Sequence, residues 1–418
     1  MKDSFLVIVD SVNPNSSSGA NCNYNLIANL VALNFIVDIL HFSGQEIAFE
    51  GANTIQICEK RFSLMYFASR TIRVIRRYTN FNLSPFFERI FGFSFTFLNQ
   101  SRSIKVVLEK LNLSGYKMCL TLSQGESFLP HHAVLSFPDL HNKWLSYVHD
   151  PYPMYCYPTE YAYRSPGYKQ KIIFFQRVVD SCKYLAFPSL LLSKWMMNYY
   201  ARISDKARII PHQICSKNEL LIDTEISNHL NIEEDDFIVL HAGSLLDQRN
   251  PSNLINGFIQ FLENNDSATL YSRLIIIGSF SERNKLLAEK YKEHPNIQFK
   301  MNRVPLSSIK NLQKIASLNV ILESNDLKSP FLPGKFPDLI SVNRRIIIIG
   351  PSKSEVRRLM GEDYEFYSSS TDTNRIEFII EQTHNDWLKS NRNLTEEYSG
   401  LTHYMSSLNL SQIITGLI

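Results

Sequence analysis

The sequence predicts an α/β protein made of two doubly wound domains, each a parallel sheet with helices on both faces. Three observations carry this. Continuous apolar runs such as Phe5-Leu-Val-Ile-Val9 read as strands covered on both sides. These runs alternate with helical patterns, the mark of parallel βαβ units. The alternation also begins afresh past a weakly patterned, acidic stretch, in a chain of 418 residues that exceeds one ordinary core.

The first series opens with the strand Phe5 to Val9, a polar loop from Asp10 to Gly19, a helical pattern through Leu26, Leu30 and Leu33, and a strand from Phe35 to Leu40. It resumes with strands over 117–122 and 144–149 around a helical stretch near Pro130. A helix over 168–182, a strand over 184–187, a helix over 189–200 and a strand over 208–210 complete it. From Pro211 to Asp236 the rhythm weakens and acids accumulate, so the boundary is expected there: a first domain over 1–212, a linker over 213–236 and a second domain over 237–400. The second series predicts strands over 237–241, 273–278, 297–300, 318–322 and 345–350, with helices over 251–262, 282–292, 306–316 and 335–342 between them. An apolar helical tail, 401–418, ends the chain. Two such domains are expected to face a central cleft between their strand carboxyl ends, where these sheets bind ligands.

At 44% hydrophobic and 20% charged residues, the composition excludes disorder as a description of the whole. No apolar run approaches the roughly 20 residues of a membrane span. Lys2 and Asp3 lead straight into a strand rather than a secretory signal, so the expected compartment is the cytosol. The six cysteines (22, 58, 119, 156, 182 and 215) are scattered without metal-ligand spacing and read as buried free thiols. His131, His132 and His141 lack carboxylate partners at such spacing and read as structural or surface residues.

Net charge is only +3, but from Glu59 to Lys105 nine Lys or Arg face two acids, interleaved with eleven Phe or Tyr. This basic, aromatic segment suits an anionic membrane surface or a nucleic acid. The plainer alternative is a pair of ordinary helices whose aromatics are core and whose charges are solvated.

The first strand-to-helix turn, Asp10 to Gly19, has one glycine and no G-x-G-x-x-G, which disfavours a dinucleotide-dependent oxidoreductase. Its Ser, Asn and Gly residues suit either an anion at a helix N-terminus or a solvated, capped turn. In the second domain, His241-Ala-Gly-Ser-Leu-Leu-Asp-Gln-Arg-Asn-Pro251 joins a strand to a helix. Gly243 allows close approach of a ligand, and Arg249 beside a helix N-terminus suits a diphosphate. Ser329-Pro-Phe-Leu-Pro-Gly-Lys-Phe-Pro-Asp338 then offers Lys335 for phosphate and Asp338 for a ribose diol. Singly, these are an ordinary surface lysine and a first-turn acid. Two such loops at successive strand ends favour a nucleotide-diphosphate site.

With the following Arg345-Ile-Ile-Ile-Ile-Gly-Pro351, these loops resemble the donor-binding half of GT-B glycosyltransferases, closest to the retaining group numbered family 4. The Gly19 loop and Ser146-Tyr-Val-His-Asp-Pro-Tyr-Pro153 resemble its bacterial surface-polysaccharide members. The resemblance implies transfer of a sugar from a nucleotide-diphosphate sugar to a lipid-linked or polysaccharide acceptor, with retention of configuration, no metal and no further cofactor. Arg249 and Lys335 would clamp the diphosphate, with Arg303 in reserve, and Gly19, Gly243, Ser244 and Asp338 would line the donor. His149 and Asp150 join Arg249 and Lys335 as the implied catalytic set. Asn15, Ser18, Gln124, Glu126 and Tyr152 fall on the acceptor side. The family's first glutamate is replaced by Pro330, so sugar recognition is expected from the backbone of Phe331, Leu332, Pro333 and Gly334. The segment over 59–105 would then dock on the inner face of the plasma membrane rather than on nucleic acid. Two other readings stand beside this one: an inactive sugar-nucleotide sensor or assembly partner, which the missing glutamate supports, and an epimerase of the same fold.

Overall fold

The computed structural model describes residues 3–44, 46–158, 164–215, 230–233, 235–302 and 304–418. The chain divides into two compact units, Met1–Ser216 with Ser406–Ile418, and Lys217–Met405.

The first unit is built on seven parallel strands: β1 (Ser4–Val9), β2 (Ile36–His41), β3 (Asn53–Gln56), β4 (Met118–Leu122), β5 (Trp144–Tyr147), β6 (Tyr184–Phe187) and β7 (Ala207–Ile209). Their order is β3-β2-β1-β4-β5-β6-β7. The order therefore reverses between β1 and β4, which are paired from Phe5 with Met118 to Val9 with Leu122. Along β1, Phe5, Val7 and Val9 enter one core cluster while Leu6 and Ile8 enter another, so the strand is apolar throughout because both its faces are covered. Helix α1 (Ser18–Ala32) follows β1. The last helix, Ser407–Thr415, packs against α1, placing Leu410 and Ile414 in the same cluster as Phe5 and Val7. Between β3 and β4 the basic segment forms α2 (Leu64–Thr79), α3 (Ser84–Phe91) and α4 (Phe95–Leu108).

The second unit contains β8 (Phe237–Ala242), β9 (Ser272–Ile277), β10 (Ile297–Lys300), β11 (Leu318–Leu322), β12 (Lys328–Ser329), β13 (Arg345–Ile349), β14 (Lys353–Ser354) and β15 (Tyr367–Ser368). Six of them form a parallel sheet ordered β10-β9-β8-β11-β13-β15, and β12 pairs with β14 apart from it. Here the order reverses between β8 and β11. The 17-residue helix Thr373–Lys389 was not anticipated, although Ile376, Ile379, Ile380, Thr383 and Trp387 are buried at helical spacing. It lies on the helix Ser252–Asn264 at Gly257, where a Cβ would meet the Ile376 side chain at 2.9 Å. All six cysteines are free, and Cys58, expected to be buried, is exposed. No described helix is long and apolar enough to cross a membrane.

Candidate functional site

Each sheet reverses its strand order once, and polar side chains without full hydrogen bonding gather at the strand carboxyl ends beside that point. This is where open α/β sheets receive ligands.

In the second unit His241 is the penultimate residue of β8, and the chain turns sharply at Gly243. The turn is shaped by Gly278 at the end of β9: its φ of +153° and an ideal Cβ only 2.1 Å from the Gly243 carbonyl oxygen leave room for no side chain. Ser279 Oγ donates to Ser244 Oγ at 2.8 Å. Asn284, buried, donates through Nδ2 to the carbonyls of Leu245, Leu246 and Arg249 and so fixes the whole loop. Asn250 accepts from Ser252 N at 2.9 Å and closes the first turn of the next helix.

Lys335 reaches into this loop from the start of the short helix Phe336–Ser341. Its Nζ donates to Val320 O at 2.9 Å and Ala242 O at 3.1 Å, and stands 3.5 Å from His241 Nδ1. Burial, then the nearby Arg249 charge, lowers the Lys335 ammonium to about 7. Burial, then Lys335, keeps His241 neutral, and its Nε2 has no hydrogen-bond partner. At the end of β11 lies a residue the sequence reading missed, Glu323. It is buried against Gly350, where a Cβ would come within 2.7 Å of the Glu323 Cβ. Burial raises its carboxyl to about 7, against the Ser329 and Ser354 hydroxyls and the Arg249 guanidinium. Those hydroxyls stand close enough to favour the charged form, yet no well-formed hydrogen bond reaches either carboxyl oxygen. Arg249 thus acts on Lys335, His241 and Glu323 together, while its own Nε is buried without a partner. Nothing in the sequence marks Glu323, because a single acid after an apolar run is ordinary.

Asp338 requires a correction. Its carboxylate pairs with Lys310 Nζ at 2.8 Å, with both side chains buried, so the structure ties it to the fold rather than presenting it for a ribose. In the preceding loop Leu332 is buried, whereas Phe331, Pro333 and Gly334 are partly exposed. Arg303 lies outside the described residues.

In the first unit β1 runs into Asp10, whose carboxyl is raised by burial to about 6 against a hydrogen bond from the Ser127 hydroxyl. The cap of α1 is Ser17, whose Oγ accepts from Ala20 N at 3.0 Å and from Gln124 Nε2 at 2.8 Å. A Cβ on Gly19 would press on Gln124 Cγ at 3.2 Å, so any larger residue here would displace the Gln124 side chain. One turn into α1, Asn23 Nδ2 donates to Ser123 O at 3.3 Å, which turns its Oδ1 toward His149 Nε2 at 2.7 Å. An amide oxygen only accepts, so His149 carries its proton on Nε2 and Nδ1 is a bare acceptor without a partner. Burial, then His212 and His131, holds His149 neutral, and its ring stacks on His212 with centroids 5.3 Å apart. Ser123 Oγ accepts from His149 N at 2.9 Å. Asn23, Asp10 and His212 escaped the sequence reading because nothing local marks them.

Of the residues expected on the acceptor side, Gln124 joins this cluster. Asn15 and Ser18 are exposed ahead of and at the start of α1, and Glu126 is exposed on the tight turn after β4. Asp150 is partly exposed beside His149. Tyr152 is a correction: it is 2% exposed, its ring centroid is 4.1 Å from that of Phe128, and it belongs to the apolar core.

No protein-family model matches the chain, and no curated protein matches it. Solved structures do match, over essentially their whole length, and glycosyltransferases of the GT-B fold are among them. WaaG, a glycosyltransferase involved in lipopolysaccharide biosynthesis, is similar at 12% identity and a TM-score of 0.59, covering 99% of this chain and 100% of its own. A glycosyltransferase from Rickettsia africae matches at 11% identity and a TM-score of 0.61, covering 100% and 99%. A trehalose-6-phosphate protein from E. coli, with UDP-2-fluoro glucose bound, matches at 10% identity and a TM-score of 0.58, covering 99% of each chain. At these identities the likeness establishes the fold.

Proposed function

We propose that this protein is a glycosyltransferase that takes its sugar from a nucleotide-diphosphate sugar bound at the β8–β11 reversal of the second unit. The observation that carries the reading is the Lys335–His241–Arg249 cluster. Two cationic side chains and an unprotonated histidine meet beside Gly243, at the crevice of a sheet whose fold is that of glycosyltransferases. Two of the three Lys335 hydrogens are directed to Val320 O and Ala242 O, and the remaining direction meets only the long contact to His241. A phosphate oxygen replacing that contact would gain a charge-assisted hydrogen bond and return the ammonium to full charge. With Arg249 it would stabilise the diphosphate as the glycosidic bond breaks, an electrostatic contribution needing no bound metal. Glu323 supplies the carboxylate that Pro330 does not, for a hydroxyl of the transferred sugar. The acceptor, lipid-linked or a polysaccharide, would meet the His149 cluster, whose bare Nδ1 is suited to accept from a sugar hydroxyl. Retention of configuration follows the resemblance to family 4.

The test is thermal stabilisation of the full chain by UDP, GDP, ADP and their sugars, followed by transfer of labelled sugar to a bacterial lipid extract. Stabilisation by one nucleotide family, abolished in Lys335→Ala, together with label in the extract supports a transferase. Stabilisation without any transfer would favour the inactive sensor. A well-folded protein that responds to no nucleotide would refute the site itself.

A further inference from the structure

Helix α2 has two apolar faces, and the fold uses only one. Ser69 and Ile72 turn inward, and they are the only buried residues of the helix. Leu64, Phe67, Val74 and Tyr78, at i, i+3, i+10 and i+14, form a strip on another side and are 86%, 56%, 47% and 81% exposed. Arg70, Arg73 and Arg77 recur at i, i+3 and i+7 along one border of that strip, and all three are exposed. Helix α3 continues the pattern: Phe86, Ile90 and Phe91 are each at least half exposed, while Phe87 turns in to pack, tilted, against the Phe95 ring with centroids 5.0 Å apart.

From Lys60 to Phe91 the chain carries seven Lys or Arg and a single acid, Glu88. Glu88 stands 4.0 Å from Lys171, so even that charge has a partner outside the segment. Among the described residues no ion pair engages Arg61, Arg70, Arg73, Arg76, Arg77 or Arg89. An exposed apolar strip of this length marks an interaction site.

We infer that α2 and α3 form a docking surface for an anionic lipid bilayer. Helix α2 would lie in the plane of the interface, with Leu64, Phe67, Val74 and Tyr78 entering the acyl boundary and Arg70, Arg73 and Arg77 among the headgroup phosphates. The charge pattern selects this occupant. A second copy of the chain would bring unpaired arginines against one another. A nucleic acid would use the arginines and the aromatic rings, but Leu64, Val74 and Ile90 have neither a stacking face nor a polar atom for a base. Hydrocarbon beneath a layer of phosphates satisfies both halves of the pattern. The inference rests on the exposure and charge of the first unit and is independent of the transferase reading.

Co-sedimentation of the full chain with vesicles tests it, using phosphatidylcholine alone and phosphatidylcholine with about a third phosphatidylglycerol. Binding is expected to the anionic vesicles at low salt and to weaken as salt rises. Arg70→Gln/Arg77→Gln is expected to lose roughly fivefold per arginine. Leu64→Ser/Phe67→Ser is expected to lose about tenfold or more by removing the inserted side chains. Both pairs are exposed, so thermal melts of the variants should match wild type. No binding to anionic vesicles at low salt overturns the inference. So does vesicle binding that the Ser pair leaves unchanged, which would be charge attraction alone. A preference for a single-stranded oligonucleotide over vesicles, or a concentration-dependent dimer abolished by the Ser pair, would assign the surface to another partner.

Discussion

Lys335 can be tested by its proton. Burial and Arg249 lower its ammonium from an ordinary 10.5 to about 7, because the fold disfavours the charged form. Between those two values the unfolded chain binds the proton that the folded chain has lost, so stability rises with pH across that window; below it both states are charged and the penalty is complete. Integrating the difference between about pH 6 and pH 9 gives a gain of about 2.5 kcal/mol. Lys335→Met has no such titration. Its stability in urea should therefore climb less than that of wild type by this amount, whatever constant loss follows from the bonds to Val320 and Ala242. The comparison cancels Glu323, which titrates in both proteins. A wild-type-minus-variant difference that stays flat over this range would refute the half-buried, charge-penalised lysine. The same proton reports ligand binding. At about pH 8, calorimetry of UDP in two buffers of different ionisation enthalpy should show wild type taking up close to one proton as the diphosphate restores the ammonium. If UDP binds without uptake, the diphosphate is elsewhere.

Glu323→Gln carries the opposite sign. A carboxyl raised to about 7 contributes stability that is present below its ordinary value of 4.5 and lost as pH rises through 7. The variant should thus exceed wild type by about 2–3 kcal/mol above about pH 8 and match it near pH 4, as read from urea midpoints. In the first unit, nitrogen chemical shifts of the His149 ring should show a proton on Nε2 alone, and Asn23→Ala should mix the two tautomers at a cost of about 1–2 kcal/mol. Asp338→Asn should destabilise the second unit by about 3–5 kcal/mol, by leaving Lys310 buried and unpaired, with nucleotide affinity in the folded protein changed less than about threefold. A large affinity loss without a stability loss would return Asp338 to the ribose.

Most strands of both sheets were legible because parallel sheets covered on both faces need apolar runs, and Phe5 to Val9, Phe237 to Leu240 and Ile346 to Ile349 supply them; the short edge strands Asn53–Gln56 and Tyr367–Ser368 carry no such run. Lys335 and Arg249 stand out in the sequence because Gly and Pro mark the loops that hold them, and the structure brings their charges close together. Tyr152 was misread because a tyrosine two residues past His149 looks no different whether its ring faces solvent or, as here, Phe128 and Phe175. Asp338 was misread because its partner, Lys310, belongs to a helix that the sequence does not connect to it. Asn23 and His149 are 126 positions apart and meet only through the sheet. Pairings of this kind depend on topology, and local spacing cannot carry them.

The same distinction explains why the second-unit cluster reads as functional rather than structural. Arg345, which is buried, is matched by Asp386 at 2.8 Å and Glu396 at 2.7 Å, and these partners hold its charged form. A fold that needs a buried cation for stability supplies it with carboxylates in this way. Lys335 receives two carbonyls and a nearby guanidinium instead, and its charged form is disfavoured. Glu323 is buried in the reach of that same guanidinium without a well-formed hydrogen bond. Neither arrangement favours the unliganded protein. Both become favourable if a diphosphate sits between Lys335 and Arg249 and a hydroxyl donates to Glu323. A ligand with two negative charges beside hydroxyl groups, such as the proposed nucleotide-diphosphate sugar, would relieve both imbalances.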